Sequence, residues 1–258
     1  MGMRNARRLG FAFAALAVSC LGAPARSAPA PVRRVLFVGN SLTYVNDLPA
    51  LVVTISRRGG RHPALAAEVV AFPDAALEDH WNHRAGTRGS ILARIESGGF
   101  QDVVLQQGPS SLPESRVHLI AWTKRFAEPI RAAGARPALY MVWPAASRRG
   151  DFPGVVASYG AAAESVGGLL LPAGAAWQAA WRVEPTLELY GADGFHPSPV
   201  GSYLAALVVE AALTERPPFA QPIRLDVGGG GRRSRLDVDA RLAEILARAA
   251  TEALTTRR

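Results

Sequence analysis

Residues 35–43 read VLFVGNSLT. Four apolar residues are followed by Gly39, which permits a tight turn, and Ser41 comes two positions later. A short apolar run without alternation is typical of a strand buried on both faces of a parallel sheet. Ser41 would then lie at the carboxyl end of this strand, near the N-terminus of a following helix, where backbone N–H groups point towards developing negative charge. The stretch therefore predicts a strand, a turn and a candidate nucleophile.

Four further short apolar runs follow, and stretches with helix stop signals separate them. The runs lie at residues 67–72, 102–106, 137–142 and 169–172, and the predicted helices at 48–58, 115–133, 155–166 and 202–214. Each predicted helix ends at glycine or shortly before proline. Strand and helix thus alternate about five times, which predicts a doubly wound three-layer α/β/α sandwich with a mainly parallel sheet of about five strands. Such sheets bind ligands at the carboxyl ends of their strands.

The composition is that of one globular domain with a sizeable core. The chain has 258 residues, of which 49% are hydrophobic and 19% charged. No apolar run reaches the roughly 18 residues that a membrane-spanning helix needs, which excludes a polytopic membrane protein. The net charge is +8, but only Lys124 among the 29 basic residues is a lysine, and the arginines are scattered. Without a basic block that contains aromatic residues, we expect no nucleic-acid partner.

The N-terminus has the order of features found in a secretory signal. Three arginines come first, a short apolar run follows, and small residues end the segment at Ala25. We therefore expect a signal peptide over 1–25, a linker over 26–32 and export to the periplasm or the medium. Cys20, the single cysteine, follows a segment that resembles a lipoprotein cleavage box. We expect membrane contact only if Cys20 carries a lipid, and the soluble and lipid-anchored forms both stay open.

Residues 33–258 are expected to form a single domain. Gly228 to Gly231 are followed by two arginines, which we interpret as a flexible link because the glycines neither follow a predicted strand nor match a phosphate-binding loop. Leu236 and later apolar residues then recur at helical spacing, and they predict a closing helix over 238–254.

A second candidate motif, DGFHP at residues 193–197, precedes the last long predicted helix of the sandwich. A serine hydroxyl needs a base to take its proton, and histidine is the side chain best suited to that task near neutral pH. The imidazole in turn needs an acceptor that fixes its tautomer, and Asp193, three residues before His196, can supply one. No G-x-S-x-G elbow occurs, which argues against the usual α/β-hydrolase arrangement.

Residues 35–42, read together with Asp193-x-x-His196, resemble the SGNH/GDSL hydrolase superfamily. The resemblance extends from about residue 33 to residue 215, with further matching stretches at LEDHW (77–81), VVLQQG (103–108) and GSYLAA (201–206). It implies a flavodoxin-like sandwich and ester hydrolysis without metal or cofactor. It also implies that Ser41 is the nucleophile, His196 the base and Asp193 its orienting partner.

The resemblance also implies an oxyanion hole, and here the sequence departs from the family. The family uses the serine N–H, a glycine N–H from a second block and an asparagine side chain from a third. Residues 73–76 contain no glycine, so we expect the backbone N–H of Asp74 to serve beside that of Ser41. Residues 107–110 carry serine where asparagine is expected, so Gly108 and Ser110 become the remaining candidates.

Four other side chains are candidates for substrate contact. Gln106 and Gln107 follow a predicted strand and are alternative oxyanion donors, while Trp81 and Trp143 lie beyond strand ends and either contact substrate or pack in the core. Asp79, His80 and His83 have metal-binding chemistry, but no further site of matching type is evident, so we expect no metal.

These observations predict an exported serine hydrolase that cleaves short-chain acyl or acetyl esters through an acyl-serine intermediate, with esters of carbohydrate as one candidate class. Thioesterase, lysophospholipase and acyltransferase activities stay open, as does the oligomeric state. The expected partner is a small-molecule or carbohydrate ester. The alternative is a non-catalytic carbohydrate-binding or cell-envelope module that retains the fold, because the second-block glycine and third-block asparagine are missing.

Overall fold

The computed structural model describes Gly2 and residues 32–61, 63–83, 90–229 and 231–256. The predicted signal peptide lies outside these residues apart from Gly2, and the predicted linker lies outside them apart from Val32. Val32 begins the first strand, one residue before the predicted start of the domain. Export and lipid attachment at Cys20 stay predictions.

The central sheet has five parallel strands, which confirms the predicted fold. The strands are β1 (Val32–Gly39), β2 (Ala64–Ala71), β3 (Asp102–Leu105), β4 (Arg136–Tyr140) and β5 (Leu169–Leu171), in the spatial order β2-β1-β3-β4-β5. The chain passes from β1 to β2 on one side and then to β3 on the other. The carboxyl ends of β1 and β3 therefore flank the switch point, where ligands bind in sheets of this kind.

The strands differ in burial because they occupy different positions in the sheet. In β1 and β3 the apolar residues 35–38 and 103–105 are buried, as predicted for internal parallel strands. Strand β2 lies at the edge, and Leu65 is its only fully buried residue. The prediction of burial on both faces is wrong for β2, because its residues 66–71 are all partly or fully exposed.

Helices cover both faces of the sheet. They are α1 (Ser41–Tyr44), α2 (Leu48–Arg58), α3 (Leu77–Asn82), α4 (Ile91–Ser97), α5 (Pro113–Ala132), α6 (Phe152–Ser165), α7 (Ala173–Val183), α8 (Pro199–Thr214) and α9 (Ala240–Thr255), with short 3-10 helices at Val45–Asp47 and Ala146–Asp151. Helices α2, α7, α8 and α9 form one packed group and α3 to α6 another. Helix α8 is buried from Gly201 to Leu213 because helices and the sheet surround it. In the described part of the chain, no helix has the length and apolarity needed to cross a membrane.

The predicted flexible link is wrong, because Gly228 and Gly229 lie in a strand of a β-hairpin. Strand β6 (Ile223–Gly229) pairs antiparallel with β7 (Arg232–Val238), and the closing helix α9 follows at Ala240 rather than at residue 238. Leu236, predicted on the face of that helix, is buried in β7. A side chain at Gly229 would overlap the carbonyl oxygen of Tyr44, so glycine here allows the hairpin to lie against the segment that follows Ser41.

Candidate active site

Ser41 is the first residue of α1 and lies at the carboxyl end of β1, as the sequence predicts. Asn40 caps the helix: its side-chain oxygen accepts a hydrogen bond of 3.1 Å from Leu42 N. The Asn40 amide nitrogen donates to Ala75 O at 3.1 Å. Both Asn40 and Ser41 are buried, with 6% exposure each. The candidate nucleophile therefore lies on a turn that interior hydrogen bonds hold in place.

Gln106 supplies most of those hydrogen bonds from the end of the neighbouring strand β3. Its side-chain oxygen accepts from Asn40 N at 2.9 Å and from Thr43 Oγ1 at 2.7 Å. Its amide nitrogen donates to Asn40 Oδ1 at 2.9 Å and to Gln107 O. Gln106 is completely buried. The predictions that Gln106 binds substrate or donates to an oxyanion are therefore wrong, since both of its amide N–H groups already have partners and solvent does not reach it.

Gly39, the last residue of β1, approaches this network too closely for a side chain, which would overlap Gln106 Oε1. The Gly39 carbonyl accepts a hydrogen bond of 2.8 Å from His80 Nε2. A carbonyl only accepts, so Nε2 carries the proton, and Nδ1 is buried without a partner among the described residues. Burial lowers the pKa of His80, although the bond to Gly39 and the charge of Asp79 oppose this. Sequence reasoning missed this role of His80.

Asp193 and His196 form the predicted pair on a loop before α8. His196 Nδ1 lies 2.7 Å from Asp193 Oδ2, and Asp193 Oδ1 accepts from the backbone N–H groups of Phe195 and His196, both at 2.9 Å. Partial burial raises the pKa of Asp193, but these hydrogen bonds and the charge of His196 together lower it overall. Because His196 Nδ1 is hydrogen-bonded to the Asp193 carboxylate, Nε2 is the ring nitrogen that can exchange a proton with Ser41 or with substrate.

Two side chains fix this loop relative to the rest of the molecule. Trp143, beyond the end of β4, donates its indole N–H to Phe195 O at 3.1 Å. Asn46, five residues after Ser41, donates to Pro197 O at 2.9 Å. The latter bond joins the segment after the candidate nucleophile to the residue after the candidate base. Among the described residues, Ser41 Oγ makes no hydrogen bond to the imidazole, and such bonds often shorten only when substrate is bound.

The two blocks proposed for the oxyanion hole share an unusual backbone conformation. Asp74 has φ 55° and Ser110 φ 53°, which is the left-handed region that glycine and asparagine adopt more readily. Ser110 Oγ accepts from Gln107 Nε2 at 2.9 Å and contacts Gly108 O at 3.3 Å. Both positions, where the resemblance implies glycine and asparagine, therefore adopt a conformation that those two residue types favour.

Tyr159, another residue that sequence reasoning missed, holds the loop that carries Gly108 and Ser110 through hydrogen bonds to its backbone. The Tyr159 hydroxyl lies 2.7 Å from Gln107 O and 3.0 Å from Gly108 O, both of which accept. Tyr159 is completely buried, and burial strongly raises the pKa of its hydroxyl, which therefore remains protonated as a donor. Gln107 is also buried, and its side-chain oxygen accepts from Leu77 N at 3.3 Å. The structure therefore gives Gln107 a structural role in place of the predicted contact with substrate.

The two tryptophans proposed as substrate contacts belong to the packing of the domain. Trp143 has no exposed surface and stacks on Trp177 at a ring distance of 3.7 Å, so the prediction that it touches substrate is wrong. Trp81 packs edge-on against Phe126 of α5, and the guanidinium of Arg125 lies 4.7 Å from its ring. Its indole is partly buried and packs against α5, and contact of Trp81 with substrate stays a prediction.

The Asp79, His80 and His83 group does not form a metal centre. His80 binds the Gly39 carbonyl, and Asp79 accepts from Ala76 N at 2.8 Å at the start of α3. Within the residues that the structure describes, no group of three or more side chains is placed to hold a metal ion.

Comparison with known proteins finds relatives by structure only. No protein-family model and no curated protein matches the sequence. A candidate SGNH hydrolase from Slackia heliotrinireducens is similar in structure, with 27% identity, a TM-score of 0.59 and coverage of 71% of this chain and 100% of that one. A DUF4886 family protein from Bacteroides uniformis has a TM-score of 0.68 at 17% identity, over 88% and 97% of the chains. The psychrotrophic esterase EstA from Pseudoalteromonas sp. has a TM-score of 0.52 at 14% identity, over 71% and 97%.

Proposed function

We propose that the chain is a hydrolase of ester bonds of the SGNH/GDSL type, and that it cleaves short-chain carboxylic esters through an acyl intermediate on Ser41. The observation that carries this proposal is the Asp193–His196 pair, at 2.7 Å, on a loop that Asn46 ties to the Ser41 segment. Ser41, His196 and Asp193 would then act as nucleophile, base and orienting carboxylate, as in a serine hydrolase triad.

The proposed reaction has two halves. Ser41 Oγ attacks the ester carbonyl as His196 Nε2 takes its proton, and the C–O bond to the alcohol breaks as His196 returns that proton to the leaving oxygen. Water then attacks the acyl-serine, His196 takes a proton from the water and returns it to Ser41, and the carboxylic acid leaves. Asp193 stabilises the imidazolium in both halves. The backbone N–H groups of Ser41 and Asp74, with the loop of Gly108 and Ser110, are proposed to stabilise the oxyanion.

We further propose that the enzyme is exported, on the strength of its first 25 residues alone. In that compartment the substrates are esters outside the cytoplasm, and acetylated carbohydrate is one such class. The short acyl group, the carbohydrate and the acyl-serine intermediate are all parts of this proposal.

A fluorophosphonate label tests the proposed nucleophile. We expect the intact mass of the protein to rise by one adduct, which maps to Ser41, and the Ser41→Ala variant to stay unlabelled and to lose hydrolysis of 4-nitrophenyl acetate. Ser97→Ala, an exposed serine of α4, is the matched control and should label as the wild type does. Folded protein that takes up no adduct and turns over no ester would favour the non-catalytic binding module.

A further inference from the structure

Three exposed arginines lie at the ends of two neighbouring helices. Arg57 and Arg58 are the last residues of α2, and Arg216 follows the end of α8. Helices α2 and α8 pack against each other. Within the residues that the structure describes, these three arginines make no ion pair with a carboxylate. Their charges are therefore available to an anionic ligand.

The segment after α8 packs against the end of α2. Arg61 Nη2 donates to Pro217 O at 2.7 Å, and Arg61 Nε lies 3.4 Å from Glu210, which is fully buried in α8. The Arg61 guanidinium also lies 5.9 Å from the ring of Phe219, and a side chain at Gly59 would lie 3.2 Å from that ring. Phe219 itself is 38% exposed. The basic patch, as we define it, combines cationic groups with this ring and consists of Arg57, Arg58, Arg216 and Phe219.

The basic patch lies where the chain enters the domain. Strand β2 begins at Ala64, shortly after Arg61, and Val32 at the start of β1 pairs with Ala64. The residues before Val32, which include the predicted export signal and Cys20, therefore join the domain at this end. Ser41 follows the opposite end of β1, about 25 Å away at about 3.3 Å per residue. A surface that contacts the basic patch would thus lie at the end of the sheet opposite the candidate active site.

We propose that the basic patch binds the surface of a membrane that contains anionic lipids. An arginine near such a surface strengthens binding about fivefold. The exposed Phe219 ring suits the boundary between headgroups and acyl chains, beside the guanidinium groups. The proposed export favours lipid over other polyanions, because the signal that precedes Val32 would bring this end of the domain to a membrane. The contact would add to a lipid on Cys20, and stable anchoring takes two such contacts.

The test measures how the full-length protein binds lipid vesicles. A Cys20→Ser background removes the predicted lipid, and intact masses establish that all proteins compared share one N-terminus. We expect this protein to sediment with phosphatidylcholine vesicles only when they contain phosphatidylglycerol, and less as the salt concentration rises. Arg57→Gln combined with Arg58→Gln should lower the partition coefficient about 30-fold, and Arg216→Gln alone about fivefold.

Two controls separate the basic patch from the net charge of the protein. Arg233→Gln combined with Arg235→Gln removes the same charge from β7, whose hairpin lies against the segment after Ser41, and should leave binding within about twofold. The Cys20→Ser background has no other cysteine, so Phe219→Cys takes a single environment-sensitive dye, whose fluorescence should rise on anionic vesicles. The same dye at Val117→Cys, exposed near the start of α5 and after the carboxyl end of β3, should not respond.

Other outcomes overturn the inference. Equal binding to vesicles with and without the anionic lipid, or no binding to either, would mean that the basic patch does not recognise anionic lipid. Equal losses in the two double variants would mean that only net charge matters, and a response of the dye at Val117 alone would place the other end of the domain on the membrane. Displacement from vesicles by duplex DNA at an equal phosphate concentration would indicate nucleic acid as the ligand. No readout uses ester hydrolysis, so failure of the proposed function would leave these results unchanged.

Discussion

The Ser41 turn and the Asp193–His196 loop are linked through the bond from Asn46 to Pro197, but they are held in place in opposite ways. The turn is buried and is held by side chains distant in sequence, above all Gln106 and His80. The loop is partly exposed, with 33% of the His196 side chain and 42% of the Asp193 side chain accessible, and its central bonds join residues at most three apart. The nucleophile is thus fixed by the core and the base mainly by its own loop.

This difference between the buried turn and the exposed loop predicts which substitutions change the stability of the fold and which change mainly its activity. A buried polar network costs free energy when one partner is lost, because the groups left behind have neither partner nor water. An exposed pair loses little, since solvent replaces the missing partner. Substitutions around Ser41 should therefore change unfolding and activity together, whereas substitutions in the loop should change activity with only a small change in unfolding.

The largest expected effect comes from Asp193→Asn. The amide preserves an acceptor for the backbone N–H groups of Phe195 and His196 but cannot stabilise the imidazolium, so we expect kcat to fall by roughly 10³–10⁴-fold. The urea unfolding curve should stay that of the wild type. Asp239→Asn, at the cap of α9, serves as the control for kcat. A fall of less than about tenfold would remove Asp193 from the proposed triad.

Gln106→Leu tests the other half of the comparison. The substitution leaves Asn40 N and Thr43 Oγ1 without a partner and removes one of the two hydrogen bonds to Asn40 Oδ1, so we expect a loss of about 2–3 kcal/mol in the free energy of unfolding and at least about a tenfold loss in kcat. Urea titration and steady-state kinetics measure the two quantities.

Gln101→Leu is its matched control. Gln101 precedes the same strand, β3, at the opposite end, and its exposed amide accepts from Arg34 N. We expect little change in either quantity. If Gln106→Leu unfolds as the wild type does, the interior network is not what holds the Ser41 turn.

The smallest expected effect is the pH dependence contributed by His80. Burial lowers its pKa in the folded state below the ordinary 6.5, so the unfolded chain binds more protons just below that value. Stability is then lost as the pH falls through this window. We expect His80→Gln to unfold with a smaller loss between about pH 7.5 and about pH 5.5 than the wild type shows.

The quantity to compare is the slope of the free energy of unfolding against pH, because effects of His80→Gln that do not depend on pH leave this slope unchanged. Loss of the Phe72–His80 ring contact lowers stability equally at both pH values, so it cancels in the difference between slopes. Identical slopes for wild type and His80→Gln would mean that His80 takes up its proton alike in the folded and unfolded chains.

Local patterns were enough to predict the sheet and the proposed triad. The strands β1, β3 and β4 each contain consecutive apolar residues, and Asp193 and His196 need only their own short loop to meet. The hairpin of β6 and β7 was missed because Gly228 and Gly229 have weak strand propensity, and their pairing depends on a close approach to Tyr44. Gln106 was selected because it follows a predicted strand. That its side chain points into the core could not be predicted from its neighbours in sequence.

The sequence by itself determined the alternation of the five sheet strands with helices, the turn that carries Ser41 and the Asp193-x-x-His196 spacing, because each depends on residues a few positions apart. Only the tertiary structure decided that Gln106, His80, Asn46 and Tyr159 support the site, since their bonds join residues 66, 41, 151 and 52 positions apart. Such bonds form only once the sheet and its helices have brought distant segments together. Burial then favours the pairing of each of these polar groups, because an unpaired one would remain without water.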